Sequence, residues 1–144
     1  MFSKSIAMGL ASAGAFLALS LTATANDYYV SATLGSDRNT GDRPRQAWLT
    51  LTHALDVIPA PRVGETHVIH LAPGVYGPEL GEQFPLDMRP RIQVVGDQGP
   101  RSVVIEGSGT EQLLRFSSNS MGDAQSFERD SVLRGVTLLS LIHI

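Results

Sequence analysis

From His67 to Leu139 the sequence is a string of short β-forming runs parted by corners of glycine, proline, serine and asparagine, and no other feature limits its folds as much. The runs are His67 to Ala72, Arg91 to Val95, Ser102 to Glu106, Gln112 to Phe116 and Val132 to Leu139. The corners are Ala72 to Gly74, Gly96 to Pro100, Gly107 to Gly109 and Ser117 to Ser120. Side chains leave a strand on alternate faces, so Ile92 with Val94, Val103 with Ile105, and Leu114 with Phe116 each point one way. Short strands with tight polar corners suit a sandwich or a coil of strands. No run ends in a two-residue hairpin signal such as Asn-Gly or Asp-Gly, and this leans toward the coil, in which each strand stacks on the one a turn later. The spacing from Ile69 to Ile92 or Val94 fits one such turn, and an excursion at Gly122 to Asp130 blurs the next.

Upstream, Asp27 to Ser31 reads as a strand and Gly35 to Pro44, almost all turn formers, as an exposed loop. One helix is expected, from Thr50 to Ile58. Leu51, Ala54, Leu55 and Ile58 recur at helical spacing, Thr50 is placed to cap the start, and Pro59 and Pro61 end it.

Residues 1–25 read as a cleavable signal peptide. Lys4 gives the positive start, Ile6 to Leu21 is an apolar run, and Ala23-Thr24-Ala25 offers the small residues that a peptidase reads before Asn26. A transmembrane anchor would need ~20 strongly apolar residues, more than this Ala-, Gly- and Ser-rich run supplies. The expected product is secreted, periplasmic or extracellular, with no membrane attachment after cleavage. Residues 26–139 form one domain. Lys4 is the only lysine, so the domain carries ten arginines against fourteen acids, and a mildly acidic chain without a basic cluster is not expected to bind nucleic acid. There are no cysteines, which excludes disulfide scaffolds and thiolate metal sites.

The ordered series Tyr28-Tyr29-Val30-Ser31, Gly35-Ser36-Asp37, Asn39-x-Gly41, Pro44, Leu51-Thr52-x-Ala54-Leu55 and Leu71 to Tyr76 resembles the start of the DUF1565 family. The likeness continues through Gly81-Glu82-x-Phe84-Pro85-Leu86, Val94-Val95-Gly96 and Val104-Ile105-x-Gly107-x-Gly109, and more loosely to Leu139. It implies a mostly β fold: the start of a right-handed parallel β-helix of the pectate-lyase-like superfamily, with a short N-terminal capping helix. An apolar-striped helix suits a lid over the open first turn of such a coil, and Ala72 to Tyr76 would turn a corner. The fold is silent on activity, since β-helices host lyases, hydrolases, epimerases and non-catalytic surface proteins.

Asp37, Asn39 and Asp42 in the loop gather hard oxygen donors, and a calcium site outside the EF-hand pattern is one reading of them. The twelfth position of an EF-hand would need a glutamate and is Trp48, so an Asx-turn loop is the simpler account. His67 and His70 are three apart on a strand and diverge, against metal binding. Superfamily lyases pair clustered carboxylates with a basic residue. Here only arginines such as Arg89, Arg91, Arg115 and Arg134 remain, with Glu106 and Arg115 placed to share a face. Hydrolase chemistry needs paired acids, and Asp87, Asp97, Glu106, Glu111, Asp123, Glu128 and Asp130 are scattered. Tyr28, Tyr29, Trp48, Tyr76 and Phe84 can stack on sugar rings, although packing of the first turn is the plainer use. No catalytic residue and no organic cofactor are expected in this stretch.

Ser131 to Leu139 reads as a fresh strand with no polar closing cap after it, so a fragment of a longer protein is expected. Residues 140–144 resemble translated adapter sequence and are set apart as a tail. Two functional readings stand. One is a non-catalytic capping and surface segment that meets polysaccharide or cell-surface glycan. The other is the opening of a polysaccharide lyase or glycoside hydrolase whose active groove lies on later turns.

Overall fold

The computed structural model describes residues 24–109, 112–116 and 131–140. The signal segment up to residue 23, the excursion at Gly122 to Asp130, and residues 141–144 lie outside the described residues. The fold is mostly β, with parallel strands and one short helix. Strand β1 (Thr24–Val30) is followed by a 3-10 turn at Pro44–Gln46 and by helix α1 (Leu51–Val57). Strands β2 (Glu65–Leu71), β3 (Gly74–Tyr76), β4 (Leu86–Met88), β5 (Ile92–Gly96), β6 (Val103–Gly107), β7 (Leu114–Phe116), β8 (Val132–Arg134) and β9 (Thr137–Ser140) then follow. The first two residues of β1, Thr24 and Ala25, pair with Glu65 and Thr66, so the expected cut before Asn26 falls inside this strand.

Among the described residues, all pairings between strands are parallel, as the missing hairpin signals suggest. The described strands form three sheets, in the orders β1-β2-β5-β8, β3-β6-β9 and β4-β7. The chain therefore visits the sheets in rotation, β2 to β3 to β4 and then β5 to β6 to β7, before returning to the first sheet at β8. Ile69 lies opposite Val94, one of the two partners the spacing allowed.

Alternation sets the interior. In β2, His67, Ile69 and Leu71 are buried while Thr66, Val68 and His70 face outward. β5 and β6 repeat the pattern. Inward residues stack in register from layer to layer, as in Tyr28–Ile69–Val94–Leu133 and Tyr76–Ile105–Leu138. Ile69, Leu71, Tyr76, Met88, Ile92, Val94, Val103 and Ile105 have no exposed surface. Each such large side chain contributes roughly 1.5–3 kcal/mol relative to an exposed one.

Three expectations need correction. The stretch read as the corner Ala72 to Tyr76 includes β3, and Leu86 to Met88, outside the runs named as β-forming, is β4. The single run Val132 to Leu139 is two strands in two sheets, because Gly135 adopts φ +69° and turns the corner there. Phe116 is in register with buried Met88 yet is 55 % exposed, since β7 is the last described strand of its sheet.

α1 lies where expected. Thr50 caps it by accepting from the backbone N–H of His53 (3.1 Å), and Ile58 closes it. Leu51, Ala54, Leu55 and Ile58 join the core beside Val30 and Trp48, and the helix packs against β4 and β1. Among the described residues, no helix is long and apolar enough to cross a membrane.

Candidate functional site

A seven-residue helix is marginal on its own, so the side chains that fasten α1 shape the surface beside it. Two carboxylates grip its start, one at the cap and one at the first turn. Asp37, on the loop after β1, accepts from Leu49 N–H (2.9 Å), Thr50 N–H (3.0 Å) and the Thr50 hydroxyl (2.9 Å). Glu82, on the connection from β3 to β4, accepts from Leu51 N–H (2.6 Å), Thr52 N–H (2.8 Å) and the Thr52 hydroxyl (2.5 Å). The N–H groups of Thr50, Leu51 and Thr52 are among the orphan donors that every helix start presents, and carboxylates also suit its positive end. Burial pushes the Glu82 carboxyl up, and its three donors only partly pull it back. At the other end Arg89, just after β4, donates from Nη2 to the carbonyl of Ile58.

Beside these contacts runs an open groove of about 730 Å³, with a wall that includes Asp37, Thr52, His53, Asp56, Gln83, Phe84, Asp87, Arg89 and Arg115. Arg115 on β7 holds Asp87 on β4 in a two-pronged bridge, Nε to Oδ1 at 2.5 Å and Nη2 to Oδ2 at 2.8 Å. This pairing keeps the Asp87 carboxyl below the usual carboxylate range, the reverse of what a general acid needs. Arg89 is partly buried, and its Nε has no hydrogen-bond partner among the described residues. Burial lowers its pKa, and the charge of Asp56 opposes that shift. The wall thus offers planar donor and acceptor groups beside the Phe84 ring, an arrangement that suits a hydroxyl-rich ligand.

The structure gives the three calcium candidates separate partners. Asp37 serves the helix start. The Asn39 amide donates to Ala47 O (2.9 Å), and its backbone carbonyl accepts from the Trp48 indole (2.8 Å). Asp42 accepts from the Thr40 hydroxyl and from Arg43, which holds its carboxyl low. Among the described residues, no three His, Asp or Glu side chains are grouped to hold a metal ion. Glu106 and Arg115 stand in different sheets, and Arg115 takes Asp87 instead.

The aromatics pack the first layers. Tyr28 stacks on Trp48 (5.7 Å between centroids), His53 meets Trp48 edge-on, and the buried Tyr76 hydroxyl donates to Ala72 O (2.6 Å). His67 and His70 do diverge. His67 is 2 % exposed, against Tyr28 and the Asn26 amide, whereas His70 lies on the outer face against Tyr29. Sequence reasoning missed Glu82 and the partners of His70. The only signal for Glu82 was its place in the ordered series Gly81-Glu82-x-Phe84-Pro85.

No curated protein and no solved structure matches the chain. Residues 33–138 match the family described as "Protein of unknown function (DUF1565)". That stretch includes Asp37, α1, Glu82 and the strands from β2 to β8, and on it the chain belongs to the DUF1565 family.

Proposed function

We propose that this chain is the opening segment of a secreted right-handed parallel β-helix, in which α1 is a lid over the first turn and the outer surface meets glycan without catalysis. The fastening of α1 carries the reading. Its apolar stripe is sunk in the core, and its two ends are held by Glu82 and Arg89 from the layer beneath. The first sheet starts one strand earlier than the other two, so β3 and β4 open their sheets, and α1 packs on β4. A helix there covers apolar surface that an open coil would expose. The apolar segment ahead of Asn26 supports export, and the absence of cysteine fits a chain stabilised by packing alone. The groove supports glycan contact, through hydrogen-bonding groups set beside Phe84.

The test uses the purified chain with pectin and alginate. We expect slowed migration in gels containing polysaccharide, weakened by Arg115→Ala and Gln83→Ala, and no unsaturated uronide released with or without calcium. Calcium-dependent release of such uronides would overturn the non-catalytic reading. Migration indifferent to every polysaccharide tried would overturn glycan contact.

A further inference from the structure

His70 joins three successive layers of the first sheet. From β2 its Nε2 lies 3.0 Å from Asp27 Oδ1 on β1, and its Nδ1 lies 2.8 Å from Asp97 Oδ1 in the turn after β5. The ring lies flat on Tyr29, with centroids 5.1 Å apart and planes 17° from parallel. Within the ladder its neighbours are Tyr29 and Val95, and Arg134 on β8 is in register one strand beyond Val95. The charged groups that touch the ring, among the described residues, are the two carboxylates.

Both ring nitrogens therefore face acceptors. An imidazolium has two N–H groups and satisfies both. A neutral imidazole has one N–H and one lone pair, and a lone pair facing a carboxylate is a repulsive contact, so one of the two must fail. Asp97 has the shorter contact and the less exposed side chain, and its own N–H is tied to Leu71 O on β2 (3.0 Å). Asp27 sits on β1, which has β2 as its one partner among the described strands. On the other side the 41–48 loop holds β1 at Tyr29 and Val30, beyond Asp27, through Tyr29 N–H to Gly41 O (2.9 Å) and Trp48 N–H to Tyr29 O (2.9 Å).

We infer that His70 is a proton-controlled latch for β1, which in its charged form ties β1 and the β5 turn to β2 and in its neutral form keeps Asp97 and releases Asp27. Burial of the ring works to lower its pKa, but the bonds to Asp27 and Asp97 outweigh burial and raise it. A raised folded-state value means that the latch is fully held below the ordinary histidine value of about 6.5 and is lost as pH climbs through the raised one.

The experiment is amide hydrogen exchange on the full chain between pH 6 and 9, corrected for intrinsic rates, alongside an NMR titration of the His70 ring. Protection of β1 should fall several-fold in step with that titration, while protection of β5 holds. Asp27→Asn should abolish the pH dependence at β1. Protection of β1 that is flat with pH would overturn the latch, as would an undiminished pH response in Asp27→Asn. If that variant does not fold, the titration of the unaltered chain still decides, since a midpoint at or below the ordinary histidine value contradicts the inference.

Discussion

Glu82 is a carboxylate only 5 % exposed, and its burial is tolerated because two backbone N–H groups and the Thr52 hydroxyl converge on it. The Thr52 hydroxyl in turn accepts from Gln83 N–H (2.9 Å), so helix and connection are tied twice. In Glu82→Gln one oxygen becomes an NH₂ that donates and cannot accept. A donor of the first turn then faces a donor, and an unsatisfied buried donor costs about 1–3 kcal/mol. Urea unfolding should show a loss of that size, and an unchanged midpoint would mean that Glu82 does not fasten α1. The Thr50 cap was legible in the sequence because a cap and its N–H are three residues apart. Glu82 was not, because it reaches a helix start about 30 residues upstream, and only the fold brings the two together.

Among the elements, those that alternate over five or more residues were legible. β2, β5 and β6 carry the period of two that separates an apolar interior from an outer face, and the stripe on α1 carries the helical one. β3 and β4 have three residues each, too few for a period to show, and they are strands because neighbouring layers pair with them. The corner at Gly135 was hidden for a similar reason. Gly96 and Gly135 approach closely in successive layers, and a Cβ on Gly96 would lie 2.0 Å from the Gly135 carbonyl oxygen. That oxygen belongs to backbone and has little room to move. Gly96→Ala should therefore force β5 and β8 apart and lower stability by about 1–3 kcal/mol, the range for overpacked interiors. Thermal unfolding measures it, and a melting temperature equal to that of the unaltered chain would mean that the layers are not stacked this closely.

At the scale of the whole stack, the first and the last described layers differ. At the first layers α1 is packed into the core and held at both ends. At the last, Leu138 is in register with buried Ile105 yet is 45 % exposed, and Phe116 is likewise uncovered. The His70 latch belongs to this scale as well, since its partners lie 43 residues before and 27 residues after it, and only the layering joins them. Each of these contacts depends on that layering, and the lack of native cysteine allows a clean test. Paired strands lie ~4.8 Å apart, within the reach of a disulfide. Val68 is in register with Gln93, and Val75 with Val104, all four on outer faces. The measurement is disulfide trapping in the double variants Val68→Cys with Gln93→Cys and Val75→Cys with Val104→Cys. A third pair, Val68→Cys with Val95→Cys, is out of register and serves as the control. The layered coil predicts that both in-register pairs oxidise readily within single chains while the control lags. Efficient trapping of the control pair, or failure of both in-register pairs in folded protein, would contradict it.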